Sequence, residues 1–180
     1  MTIQSPAPTA PSFARPAPGT FARAVLRVAL VAGTLDIVGA HLHQWLASGR
    51  PPATLLKTIV GGAVGRERAL EGGVGMMALG LFFHYLIAAA FTLFFFLLYP
   101  HVSLLRKHRV LVGAAYALFA WSVMNYVVLP LSALPRRPPD YTNPNTYIGW
   151  GVLILAIGLP IAFGAARFYH RRPAGVSRSS

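Results

Sequence analysis

Four acidic residues stand out in a chain of 180, because the rest is so apolar: Asp36, Glu67, Glu71 and Asp140. Asp36 lies in the middle of an apolar run. A lone charge at mid-membrane costs at least about 2.5–3.5 kcal/mol on insertion scales, so an intramembrane Asp is a functional candidate by default. Gly33, Asp36, Ala40 and His43 recur at steps of three and four and share one helical face. In a second apolar run Gly80, His84 and Ala88 share a face; in a third, Ser122 and Asn125 do, next to Trp121. An Asp–His pair can pass or store a proton, and histidine is the side chain that switches charge near neutral pH. The same residues also have a structural use. Small residues let helices approach, and a bond from Asp36 to His84 or Asn125 would hold helix register. Asp36, His84 and Asn125 therefore form the candidate intramembrane polar cluster, under either reading. His41, His43 and Ser122 are secondary polar positions.

Other chemistries find little support. His41 and His43 are two positions apart, so on a helix they point to nearly opposite sides and do not clamp one ion. His43 with His84 would suit a haem across two helices, but there is no second His pair and no attachment motif. No metal and no cofactor are expected. The absence of cysteine excludes disulfides, thiolate metal sites and cysteine catalysis. Gly61-Gly-Ala-Val-Gly65 lacks the Gly-Lys-Ser/Thr that completes a P-loop. Glu67 and Glu71 lie among arginines and read as surface pairs rather than an acid/base dyad. The expectation is a non-enzymatic membrane component acting through partners, lipid or stress response. The alternative is a proton-coupled conduit or small transporter using Asp36, His84 and Asn125.

The elements that must position these residues follow from hydropathy. Hydrophobic residues make up 55% of the chain and charged residues 11%, less than half the roughly 25% usual in a soluble domain. Residues 76–100 contain no Lys, Arg, Asp or Glu, and about 20 apolar residues span a hydrocarbon core of roughly 30 Å. Four such spans are read at about 21–46, 75–99, 110–131 and 147–168. Pro51 and Pro52 stop the first, Pro100 the second, and Pro130 with Pro135 bounds the third. Between the first two, Leu55, Leu56, Ile59 and Val60 fall on one face, which predicts a short amphipathic helix on the membrane surface. A re-entrant segment is the alternative; Lys57 argues against deep insertion. The Phe-rich end of the second span (Phe91, Phe94, Phe95, Phe96, Tyr99) is expected to face lipid or the cytoplasmic boundary.

The predicted fold class is therefore an all-α membrane protein: four transmembrane helices in a bundle, within residues 21–169, plus the interfacial helix. Residues 1–20 read as a disordered Pro/Ala-rich tail and 170–180 as a basic, mobile tail. No small-x-small site closes the first apolar run, so a cleaved signal peptide is not expected. The net charge of +12 comes from basic residues beside apolar stretches, which points to a membrane and not to nucleic acid. Ten Lys and Arg flank one side of the four spans and six the other, which favours both termini in the cytoplasm. Partners are the lipid bilayer and either a second copy or another membrane protein. In this topology Asp36, His84 and Asn125 lie within one helical turn of the same depth, so the three could meet in the outer half of the bundle with His41 or His43 above.

Four segments carry a resemblance: Gly33-Thr-Leu-Asp-Ile37, Ala78-Leu-Gly-Leu-Phe-Phe-His84, Val123-Met-Asn-Tyr-Val-Val-Leu-Pro-Leu-Ser-Ala-Leu-Pro135 and Gly158-Leu-Pro-Ile-Ala162. Over about Arg23–Tyr169 the chain resembles a family of small four-span bacterial inner-membrane proteins with no assigned activity, and more distantly the YagU-like inner-membrane proteins. The resemblance implies a multi-pass protein of the bacterial inner membrane. The distant relatives are linked to acid tolerance. Those closer often carry a His before Gly-Leu-Pro in the last span; here Gly151-Val-Leu-Ile-Leu has none, which weakens any scheme that needs a ligand from that span.

Overall fold

The computed structural model describes residues 18–135 and 138–170, and the expected tails at 1–17 and 171–180 lie outside the described residues. The described residues fold as helices: α1 (Pro18–Ser48), α2 (Pro52–Val64), α3 (Arg66–Glu71), α4 (Val74–Leu98), α5 (Leu104–Lys107), α6 (Arg109–Leu131) and α7 (Pro144–His170). Four of them, α1, α4, α6 and α7, are long and apolar enough to cross a membrane. Their outer faces are apolar: Leu26, Leu30, Val31, Leu35, Val38 and Leu42 form an exposed stripe along α1. Helix α1 starts within the stretch read as a tail, because Pro18 is tolerated in a first helical turn, where its missing N–H would have no partner.

The long helices pack α1 on α4, α6 on α7, and α1 on α7. Small residues set the closest approaches. A methyl group on Gly158 would run into the carbonyl of Gly113, so α6 and α7 touch backbone to backbone. At Gly80 a methyl would run into the carbonyl of Leu56, so α2 lies directly against α4. Of the apolar face expected on α2, Val60 is fully buried, while Leu55, Leu56 and Ile59 stay half-buried. Lys57 Nζ donates to the Leu70 carbonyl in α3 at 2.8 Å, and Ala133 N donates to the Gly62 carbonyl at 2.9 Å. The α2–α3 pair is thus fastened to α4 and to the segment after α6.

One expectation is overturned. The Phe-rich end of α4 does not face outward: Phe95, Phe96 and Tyr99 are completely buried, though Phe94 is exposed. They form the core with Val25, Tyr116, Ile157, Ile161 and Ala165. Phe95 meets Tyr116 edge to face at 4.7 Å and Tyr99 stacks on Tyr169 at 5.3 Å. The physical reason is the phenols. Tyr116 donates to the Phe91 carbonyl at 2.5 Å and Tyr169 to the Phe96 carbonyl at 2.8 Å, partners that hydrocarbon does not offer.

Both α6 and α7 are interrupted by one wide π turn, at Met124–Val128 and Ile154–Gly158. Each turn ends two residues before a proline, in Leu129-Pro130 and Leu159-Pro160. The proline ring cannot donate and clashes with the carbonyl four residues back. Widening the helix by one residue relieves that clash, and such π turns gather at functional sites.

Candidate functional site

The ends of α1, α4, α6 and α7 fall into two groups. Phe21 contacts Phe96 and Phe168, and Tyr99 contacts His170, so Pro18, Leu98, Arg109 and His170 mark one end, here the terminal end. Ser48, Val74, Leu131 and Pro144 mark the loop end.

At the loop end a cavity of about 330 Å³ opens between α1, α6 and α7. Asp36, Ala40 and His43 line it from α1, Trp121 and Asn125 from α6, and Asn145, Thr146 and Gly149 from α7. The three-and-four spacing on α1 accounts for the first group, which lies one above the next along a single face. Gly149 lies beside the His43 ring, where an added methyl would make ordinary van der Waals contact at 3.6 Å. Helix α7 starts three residues before the expected span because Asn143 caps it: its side-chain oxygen accepts from Asn145 N at 2.9 Å, with Pro144 at the first helical position. That cap brings Asn145 and Thr146 to the cavity mouth.

The polar residues singled out from sequence separate into two groups. Asp36 and Asn125 share the cavity, with His43. The Asp36 carboxylate has no hydrogen-bond donor among the described residues. His43 Nε2 is buried and likewise has no hydrogen-bond partner among them. Buried polar atoms are nearly always paired, so an unpaired one calls for an explanation. Asn125 spends one N–H on the Trp121 carbonyl of its own helix, at 2.9 Å.

His84 has another task. Its Nε2–H donates to the Gly33 carbonyl at 2.8 Å and the ring is buried, packed edge to face on Tyr85. It stays within Coulombic reach of Asp36 but does not line the cavity with it. The meeting of all three side chains is therefore only partly realised: a carbonyl one turn earlier on α1 takes the imidazole N–H. His41 bonds through Nδ1 to the Ile37 carbonyl of its own helix at 2.5 Å, on a different side of α1 from His43. Ser122 does the same to Leu118 at 2.8 Å. Neither lines the cavity.

Sequence reasoning missed Asn145, Thr146 and Gly149. The signal was present in Asn143-Pro144, an N-cap followed by a first-turn proline, which moves the start of the helix back. Trp121 was noted only as a neighbour; it stacks edge to face on Trp150 at 5.2 Å and forms one wall.

No family model, no curated protein and no solved structure matches this chain.

Proposed function

We propose that the protein is a non-enzymatic, multi-pass membrane component that takes a small cationic solute into the loop-end cavity, with Asp36 as counter-charge. The observation that carries this is the Asp36 carboxylate, at membrane depth, lining a cavity with no donor bonded to it among the described residues. A carboxylate beside an indole is a setting for an ammonium group: the charge faces Asp36, and the Trp121 ring adds a cation–π contact. Asn125, Thr146 and His43 supply the remaining polar contacts. The four helices act as a bundle in which α1, α6 and α7 enclose this cavity, and α2–α3 lies at the membrane boundary as a brace for α4. The terminal end faces the cytoplasm, in keeping with the bias of Lys and Arg.

The reading prefers binding over steady proton conduction. From Val28 to Asp36 helix α1 rises about 12 Å. Over that length α1 and α7 bury apolar side chains, Ala29, Ala32, Ile157 and Ile161, and the buried Thr92 hydroxyl of α4 is spent on the Ala88 carbonyl of its own helix. A proton would need a polar chain there. The two proline-linked π turns beside the cavity favour a second reading, a proton-coupled carrier that moves to open the far side.

The test uses the full chain in lipid nanodiscs and its tryptophan fluorescence, to which Trp121 in the cavity wall and Trp150 stacked on it contribute. Methylammonium and tetramethylammonium are titrated in turn. A saturable change in the wild type that Asp36→Asn removes supports the site. An identical response in both proteins rejects it. Proton flux in proteoliposomes addresses the carrier: flux without added solute, equal in wild type and Asp36→Asn, dismisses a role for Asp36 in coupling.

A further inference from the structure

A second and larger hollow, about 740 Å³, lies on the opposite half of the molecule, at the terminal end. It runs along the seam between α7 and α1, where Pro160, Phe163, Gly164 and Arg167 recur at steps of three and four on α7 and Gly164 lies against Val28. Helix α1 borders it with Arg27, Val28 and Val31, and the start of α6 with Arg109. His170 closes its outer edge.

The lining changes along its length. Arg27, Arg109 and Arg167 stand at the membrane boundary, and all three are exposed. The inner part is apolar, walled by Val31, Pro160 and Phe163. From His170 to Pro160 the helix rises about 15 Å, so the hollow reaches from headgroup level well into hydrocarbon depth. The arginines have no acidic residue to answer them here. Glu67, Glu71 and Asp140 belong to the loop end, and Asp36 lies deeper in α1.

We infer that this hollow is a site for one anionic phospholipid, its phosphate held by Arg27, Arg109 and Arg167 and an acyl chain laid against Phe163 and Val31. The argument is complementarity of two kinds in one place. Guanidinium groups match phosphate oxygens in geometry as well as charge. An apolar wall continuing inward from them fits an amphiphile and not a free anion. Basic hollows between membrane helices on the cytoplasmic side bind anionic headgroups on these grounds. The site is separate from the loop-end cavity and does not depend on it.

Native mass spectrometry of the delipidated full chain tests this. Phosphatidylglycerol and phosphatidylcholine with the same acyl chains are offered in equal amounts. The expected result is retention of one phosphatidylglycerol in preference to phosphatidylcholine. Arg27→Gln with Arg167→Gln should weaken it, by about five-fold for each arginine removed. Arg66→Gln with Arg68→Gln removes the same charge at the loop end and should change nothing. Equal retention of the two lipids overturns the proposal. So does an equal loss in both double variants, which would mean diffuse attraction. Complete displacement of phosphatidylglycerol by millimolar inorganic phosphate also overturns it, because the site would then hold a free anion.

Discussion

His84 on α4 donates from Nε2 to the carbonyl oxygen of Gly33 on α1, across 2.8 Å, with its ring buried between the helices. This bond ties the two helices at the level of a glycine that is itself in tight contact with the Tyr85 ring. On the exposed side of the same helix, Thr34 Oγ1 and Tyr85 Oη form a second bridge at 2.8 Å. The histidine read from sequence as a relay candidate spends its Nε2–H on a bond between α1 and α4.

His84→Ala should therefore act on stability. Interhelical hydrogen bonds in membranes are worth about 1–2 kcal/mol in peptides and somewhat less in proteins. A loss of about that size is expected in thermal unfolding of the detergent-solubilised protein. The fluorescence response to methylammonium should persist. A variant as stable as wild type that no longer responds would return His84 to the site.

Asp36→Asn should make the protein more stable. A carboxylate at membrane depth with no donor among the described residues is a cost, of at least about 2.5–3.5 kcal/mol at the bilayer centre on insertion scales, and the neutral amide removes part of it. Stability given up at a binding site for the sake of its ligand is the usual trade. Chemical or thermal denaturation decides it. If the variant is instead destabilised, Asp36 holds helix register and the cavity loses its reason.

Gly158→Ala should force α6 and α7 apart, since the methyl meets the Gly113 carbonyl backbone, which has little freedom to yield. Overpacking of this kind costs about 1–3 kcal/mol. Gly151→Ala, on the same helix with nothing within 4 Å of the added methyl, is the matched control and should be neutral. Equal melting temperatures for the two variants would show that the contact does not hold the helices.

Asp140 gives the loop end an acid limit. Its Oδ1 accepts from Thr142 Oγ1 at 2.6 Å and from Thr142 N at 2.9 Å, and these bonds hold the carboxyl below its ordinary value. A folded-state value below the unfolded one means the carboxylate's contribution is complete above about pH 4. It is lost as pH falls through the lower, folded value. The Thr142 amide resonance, followed by NMR, should shift only in that acid range, and Asp140→Ala should abolish the step. A shift centred near neutral pH would assign it to another group.

Much was legible from sequence alone. Four charge-poor runs of about 20 residues leave no choice but helices, because backbone groups in hydrocarbon must bond within their own segment. Periodicity placed Asp36, Ala40 and His43 on one face, and Gly80, His84 and Ala88 on another, and the structure keeps both faces inward. The Leu-Pro pairs at 129–130 and 159–160 carry the π turns in the same way, through a missing donor and a ring clash. What periodicity cannot say is which face meets which neighbour. Lipid and core are equally apolar, so Phe95 and Phe96 are at home in either, and only the phenols of Tyr116 and Tyr169, finding carbonyls on α4, decided for the core. Likewise a buried imidazole bonds to any acceptor within reach. The Gly33 carbonyl lay closer to His84 than the Asp36 carboxylate did, and that one distance, a property of how α1 sits on α4, left the acid to the cavity.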